Sequence, residues 1–253
     1  MFRAALGFVA VAIMGFTSPN TFGQEKMSAT GLLKKAIEAT GGEAAIKKYQ
    51  ASKEHSKGTM DLNGLEIPFS GDSFFMSPDK MKNVLSLEVM GMKMKAVQVI
   101  NGDKIRMMVN GMDIPVEEAA KTEMKEGLLL HKVAELVPLL DSKQFDVKLQ
   151  DKMEKVGDAD NHVLTVKCKG LRETKIFFDS KTFLISKLEK RGLNAAQQEG
   201  NQEMFLSDYK KVEGLMLPMK SKVLHDGKKF LESETTEVKL LDKIPDTEFD
   251  VSD

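Results

Sequence analysis

Several features that stabilise or mark other classes of protein are missing from this sequence. It contains one cysteine, Cys168, so no internal disulfide can form and stability must come from packing. Tryptophan is absent and tyrosine occurs only twice. The 37 lysines and arginines nearly balance the 38 aspartates and glutamates, and this balance argues against a nucleic acid partner.

A long hydrophobic run is also missing. The apolar stretch over residues 4–16 is shorter than the roughly 20 residues that a membrane span needs. It follows Arg3 and leads into small and polar residues, which is typical of a secretory signal. We therefore predict a signal peptide at residues 1–23, and a periplasmic or secreted domain at 24–253. No cysteine follows the apolar stretch, which excludes a lipid-modified N-terminus.

The motifs of common catalytic and metal sites do not occur. The sequence has no Gly-x-Ser-x-Gly elbow, no phosphate-binding glycine loop and no dinucleotide fingerprint. Its four histidines are scattered, without the spacing of zinc ligands. Carboxylates alternate with lysines in stretches such as "DVKLQDKMEK", the pattern of a solvated strand face. We predict a protein that is not an enzyme and that has no metal or cofactor.

Two segments have helical periodicity. Apolar residues at Leu32, Leu33, Ala36 and Ile37 predict a helix that ends at Gly41–Gly42, followed by a short helix at about 43–50. A second amphipathic segment spans residues 115–141, where Pro138 should end or kink the helix. Its apolar face, which we predict to form a lid over a sheet, consists of Leu129, Val133, Leu136, Val137 and Leu140.

The rest of the chain alternates with a period of two. Short apolar runs are separated by turn signals, of which Asn101–Gly102 and Asp226–Gly227 favour tight hairpins because these turns need positive φ. We count about eleven or twelve antiparallel strands. A sheet of that size curls, so we predict an α+β fold of mainly antiparallel strands, an incomplete half β-barrel with a helical lid.

Methionine is abundant, with 17 residues including Met1 and Met14 of the signal segment. It concentrates at 76–112, where "EVMGMKMKAV" places Met90, Met92 and Met94 at alternate positions. A methionine-rich surface can repack around apolar partners of varied shape. Alternate thioethers could also bind Cu(I). From strand parity we predict that the ligand cavity is lined by Leu62, Phe69, Met94, Met107, Leu217 and Met219.

The order of elements resembles the LolA/LolB superfamily of periplasmic lipoprotein carriers, in particular the divergent group of outer membrane lipoprotein-sorting proteins. The resembling stretches are "ATGGEAAIKKYQ", "VINGDKIRMMVNG" and the closing "LSDYKKVEGLMLPMKSKVLHDGKKFLESETTEVKLLDKIPDTEFDV". The resemblance implies an incomplete barrel over a helical lid, with an apolar cavity for acyl chains. The first-strand stretch "ASKEHSKGTMDLNG" contains no arginine that could correspond to the carrier's lid-locking arginine.

The leading functional hypothesis is an exported carrier or binding protein for an apolar ligand: an acyl chain, a lipid or a lipoprotein. An envelope membrane protein is a possible further partner. Two alternatives remain open, a non-catalytic structural or interaction protein of the cell envelope with a filled barrel, and a methionine-rich Cu(I)-binding protein.

Overall fold

The computed structural model describes residues 27–62, 64–89, 91–194 and 198–251. The predicted signal peptide lies outside these residues. None of the described helices combines the length and the apolar character that a membrane span requires.

The described residues form three α-helices. They are α1 (Ala29–Thr40), α2 (Glu43–Lys48) and α3 (Glu118–Ala134). Helix α1 begins after Ser28, whose hydroxyl accepts a hydrogen bond from the Gly31 amide, and ends at Gly41, as the sequence predicts. Helix α3 ends before Pro138, because Leu136 takes a positive φ of 67° and a 3-10 turn follows at Val137–Leu140.

All the described strands belong to one antiparallel sheet. The first half of the chain supplies β1 (Ala51–Leu62), β2 (Leu65–Met76), β3 (Lys80–Val89), β4 (Met92–Asn101), β5 (Lys104–Val109) and β6 (Met112–Asp113). The second half supplies β7 (Asp146–Leu149), β8 (Glu154–Val156), β9 (Ala159–Cys168), β10 (Leu171–Asp179), β11 (Ile185–Leu193), β12 (Glu199–Val212), β13 (Leu215–His225) and β14 (Lys228–Leu241). Described strands number fourteen rather than eleven or twelve, and β6 and β8 are very short.

Each half is a meander of neighbouring hairpins, and the halves meet where β1 pairs with β14. The strand order is β6-β5-β4-β3-β2-β1-β14-β13-β12-β11-β10-β9-β7, with β8 beside β9. The turns at Gly102 and at Asp226–Gly227 take positive φ, as their sequences predict. The fold is therefore α+β with a sheet that does not close, an incomplete barrel as predicted.

The two faces of the sheet carry different partners. We call the side covered by α1 and α3 the inner face and the opposite side the outer face. On the inner face, Leu32 and Val133 from these helices pack with Leu164 and Ile176 of β9 and β10. On the outer face, the C-terminal 3-10 turn Asp246–Phe249 buries its phenylalanine in a second, smaller core.

The C-terminal turn is attached to β3 and β4 by polar contacts as well. Lys80 and Lys82 of β3 form ion pairs with Asp246 and Glu248 at 2.8 and 3.0 Å. The Asn101 amide donates to the Phe249 carbonyl oxygen at 3.1 Å. These contacts support β3 and β4 from the outer face.

Close approach of β1 to β14 depends on Gly58. A Cβ atom at this position would lie 2.0 Å from the backbone carbonyl oxygen of Glu232. The register of the same strand pair shifts between His55 and Ser56. Such bulges increase local twist, which helps a large sheet to curl.

We expect Gly58→Ala to destabilise the protein by about 2 kcal/mol or more, because backbone atoms must move to admit the methyl group. Gly127→Ala is the matched control, since nothing lies within 4 Å of a Cβ at this helical position. That change should leave stability unchanged or raise it by up to about 1 kcal/mol. Urea unfolding measures both, and equal stability of the two variants would contradict the packing argument.

Candidate functional site

Strand register places most of the predicted cavity residues on the inner face. Directly paired residues point to the same side of a sheet. Phe69 pairs with Gly58 on one side and Leu87 on the other, and Leu87 pairs with Met94. Met107 pairs with Gln98, which shares its side of β4 with Met94 by alternation. Phe69, Met94 and Met107 therefore share one face.

The same face continues onto β13. Alternation places Leu217 and Met219 on the side of Leu215, whose side chain lies against Gly41 at the end of α1. Met219 is buried and Leu217 is partly exposed. Leu62 ends β1, and its side chain is outside the described residues. The five remaining residues thus lie on the inner face, in two groups on opposite sides of the β1–β14 pair.

A partly buried apolar surface covers much of the inner face of β3, β4 and β5. We call it the methionine wall; it consists of Leu85, Leu87, Met94, Ala96, Met107 and Val109. At the hairpin tips beside it, Met92 and Met112 are 63% and 67% exposed. Met94 pairs with Leu87, and Met90 lies outside the described residues. The wall is apolar, yet neither helix buries it completely.

Helix α3 connects the two halves of the sheet. The His131 ring stacks on Phe75 of β2, with centroids 3.9 Å apart and planes 7° apart. Lys125 pairs with Asp103 in the β4–β5 turn at 2.7 Å. The predicted lid residues pack in the inner core, with Val133 and Leu136 buried and the others partly buried: Leu129, Val137 and Leu140.

Four charged side chains hold α3 on β10 and β11. The Arg172 guanidinium donates to Glu123 and Glu126 at 2.8 and 3.0 Å, and Lys190 Nζ donates to Glu123 at 2.6 Å. Glu126 and Lys190 are only 3% and 7% exposed. Burial opposes ionisation of Glu123, but hydrogen bonds from Lys190 and Arg172 lower the pKa of its carboxyl. We call this cluster the lid latch.

Sequence reasoning did not predict the lid latch. Arg172 and Lys190 lie in lysine-rich alternating strands that look like solvated faces, and their partners are about 50 to 70 positions away. The structure therefore provides an arginine beneath the lid helix, but on β10 instead of in the first strand.

We expect Lys190→Met to cost about 3 kcal/mol of unfolding free energy, because it leaves Glu126 buried with one cation fewer. Lys229→Met is the control, since the ion pair of Lys229 with Glu66 is accessible to solvent. Its loss should cost less than about 1 kcal/mol. Urea titrations would compare the variants, and a Lys190 variant as stable as the control would show that the latch is not structural.

The imidazole of His131, which α3 places against Phe75, is desolvated. Burial lowers the pKa of its imidazole from 6.5 to about 4, so the neutral ring stacks on Phe75. The unfolded chain binds this proton more readily than the folded one. The contribution of His131 to stability is therefore complete above pH 6.5 and is lost as pH falls toward 4.

We expect His131→Phe to keep the stacking and to remove this titration. The free energy of unfolding of the wild type should fall, relative to that of the variant, by up to about 3 kcal/mol between pH 7 and pH 4. Urea midpoints across this range provide the measurement. Parallel pH profiles for the two proteins would contradict the assignment.

Two cavities of very different size border the sheet. A void of about 20 Å³ lies on the inner face beneath Leu130 of α3, between Leu188 and Met204. A groove of about 1020 Å³ lies along β1, β2 and β12–β14. Most of its lining belongs to the outer face: Lys57, Thr59, Pro68, Glu66, Phe205, Ser207, Lys220, Lys222, Leu224, Lys229, Glu232 and Glu234.

Among residues 27–62, 64–89, 91–194 and 198–251, no three His, Cys, Asp or Glu side chains come together as a metal site. Cys168 follows Leu164 and Val166 along the inner face of β9 and is partly buried. Burial raises the pKa of its thiol. It packs as a small apolar residue.

No protein-family model and no curated protein match the sequence. Solved structures do match. A LolA superfamily protein from Nitrosomonas europaea is similar with a TM-score of 0.56 and 10% identity, over 88% of this chain and 97% of that one. A DUF1329 family protein from Desulfovibrio piger is similar with a TM-score of 0.55 and 13% identity over the same shares.

A putative outer membrane lipoprotein-sorting protein domain from Vibrio parahaemolyticus is also similar, with a TM-score of 0.50 and 12% identity, over 88% of this chain and 97% of that one. At such identities the likeness concerns the fold. The chain has a divergent LolA-like fold, as the order of its elements predicts.

Proposed function

We propose that this protein is an exported, non-catalytic carrier or binding protein that holds an apolar chain against the methionine wall beside α3. The observation that carries this proposal is the incompletely buried wall itself. Six apolar side chains on three neighbouring strands stay partly accessible beside an amphipathic helix. Covering apolar surface is favourable by about 25 cal/mol per Å², so an alkyl chain would gain free energy by lying there.

Methionine suits such a surface. Its side chain is unbranched and polarizable, so it can adapt to chains of different length and shape. A rigid wall of β-branched residues would select one shape instead. The composition of the wall therefore favours a class of related apolar ligands: acyl chains, lipids or the acyl groups of lipoproteins.

Enclosing an alkyl chain beneath α3 requires the helix to move. The void beneath Leu130 holds about 20 Å³, roughly enough for one water molecule and far too little for an alkyl chain. In the closed position the helix is held by the lid latch, by the His131–Phe75 stack and by the Lys125–Asp103 pair. Lifting α3 would connect the apolar underside of the helix with the methionine wall.

The setting of this activity is the periplasm or the exterior, as the N-terminal sequence suggests. An acyl chain exposed to water costs about 0.8 kcal/mol per CH₂ group, so transfer between membranes needs a protein that covers the chain. The partners would then be the lipid or lipoprotein and an envelope membrane protein that donates or accepts it. The LolA-like fold supports this proposal.

Titration with the neutral apolar dye N-phenyl-1-naphthylamine tests the proposal. After delipidation, the protein should show saturable fluorescence enhancement. Met94→Glu and Met107→Glu should each weaken binding about tenfold, because a carboxylate on the wall must be desolvated. Met153→Glu, at an exposed site between β7 and β8, is the control and should bind normally. Absence of saturable binding by the wild type would refute the carrier function.

The outer-face groove supports a second candidate, a non-catalytic interaction protein of the cell envelope. Phe205 and Leu224 lie among lysines and glutamates there, a mixture that suits a polypeptide segment better than an alkyl chain. In that case the inner face would remain closed. Lys220→Glu with Lys222→Glu would then abolish the association with a partner protein and leave dye binding unaffected.

A further inference from the structure

A row of polar side chains crosses the inner face beside the methionine wall. Glu54 of β1 pairs with Ser73 of β2, Ser73 pairs with Asn83 of β3, and Asn83 pairs with Gln98 of β4. Paired residues in antiparallel strands have Cβ atoms about 5 Å apart. The four side chains therefore form a continuous polar line across four strands. We call them the polar row.

The rows on both sides of the polar row are largely apolar. On the side of the β2–β3 and β4–β5 turns lie Phe75, Met81 and Ile100. The His131 ring of α3 stacks on Phe75. Toward the hairpin tips lie Leu85 and Ala96, the first members of the methionine wall. The polar row thus begins close to the lid helix and borders the wall along its length.

The side chains of the polar row form few interactions with the rest of the described protein. Glu54 Oε1 accepts a hydrogen bond from the Ser52 hydroxyl at 3.3 Å, and Asn83 Nδ2 has a weak contact with Met81 Sδ at 3.7 Å. Within the part of the chain that the structure describes, no cation lies within ion-pair distance of Glu54, and neither Ser73 nor Gln98 forms a side-chain hydrogen bond.

These groups nevertheless reach open space. All four side chains are partly accessible, and no completely buried polar side-chain atom of the described residues lacks a partner. Burial raises the pKa of the Glu54 carboxyl, because surrounding protein removes water without supplying a cation. A desolvated carboxyl group that faces open space can be stabilised by a positively charged or hydrogen-donating group from a ligand.

We propose that the polar row binds the head group of the ligand, and that this head group is an amine carried on an alkyl chain that lies along the methionine wall. Glu54 would pair with the ammonium group, and the adjacent Ser73 hydroxyl oxygen would accept another of its hydrogens. Asn83 and Gln98 would continue the polar line toward β4. The inference rests on the proposed function, since it assigns the chemistry of the ligand at the same face.

The wall offers a path for the chain. From Gln98 to Met92 the inner side of β4 extends by six residues, or roughly 20 Å at about 3.3 Å per residue. A chain anchored at the Glu54 end of the polar row would run past Leu85 and Leu87 of β3 toward the hairpin tips. A carboxylate head group would meet Glu54 instead of a cation, and like charges at this distance repel.

Competition between chains of equal length tests the inference. Dodecylammonium, dodecanol and dodecanoate, each below its micellar concentration at pH 7.5, would displace N-phenyl-1-naphthylamine from the wild type. We expect dodecylammonium to bind at least about tenfold more tightly than dodecanoate. Glu54→Gln should remove this preference while dodecanol binding stays unchanged. Glu232→Gln, on the outer face, is the matched control and should keep the preference.

A second variant protects the test if Glu54→Gln fails to fold. Gln98→Glu is nearly isosteric and adds a carboxylate to the polar row, so it should increase the preference for dodecylammonium further. Equal binding of the charged ligands by the wild type, or a preference that survives Glu54→Gln, would overturn this inference alone. Failure of all three ligands, dodecanol included, would overturn the proposed function and this inference with it.

Discussion

Pairing of β1 with β14 is the constraint on which the rest of the structure depends. It joins two meanders, one from each half of the chain, into a single sheet with a common inner face. The methionine wall lies on one side of this β1–β14 seam. Strands β10 and β11, which hold α3 through the lid latch, lie on the other side. Without the seam, the helix and the wall would belong to separate sheets. Gly58 permits the close approach that the pairing needs.

The inner face is divided by chemistry as well as by strands. Beneath α1 and α3 it is a filled apolar core, whereas on β3–β5 it is apolar and incompletely buried. Between these regions, β1 and β2 contribute small or polar side chains, such as Ser56, Gly71 and the first two members of the polar row, Glu54 and Ser73. A face with this division suits an amphipathic molecule, whose parts need different surroundings. The outer face, with its broad charged groove, is suited to different partners.

Much of the architecture follows from local sequence. Asn101–Gly102 and Asp226–Gly227 specify tight turns, and Gly41 specifies a helix end, because few residues other than glycine tolerate the required φ. Alternation identified the strands and the shared face of Met94 and Met107. The open barrel then follows from strand number and twist. These features depend on neighbours in sequence, which a single sequence displays.

Contacts between distant segments could not be predicted in the same way. Whether Glu54 faces α3 or solvent depends on the register of β1 with two other strands, and a shift by one residue reverses every side chain. The lid latch joins α3 to β10 and β11, and nothing in the sequence around Arg172 distinguishes it from a solvated position. The inner-face void and the outer groove likewise depend on how the helices settle on the sheet.

The C-terminal turn has a mechanical consequence. Phe249 and the ion pairs of Asp246 and Glu248 contact the outer face of β3 and β4. The inner face of the same strands carries the methionine wall. The two surfaces that would enclose a ligand, the sheet at β3 and β4 and the helix α3, therefore differ in stiffness. Because β3 and β4 are packed on their outer face, this part of the sheet resists outward movement. Space for a bulkier ligand must therefore come from displacement of α3 and from rotamer changes of the methionine side chains. The thickness of a guest, more than its length, would set the upper limit of what this fold can enclose.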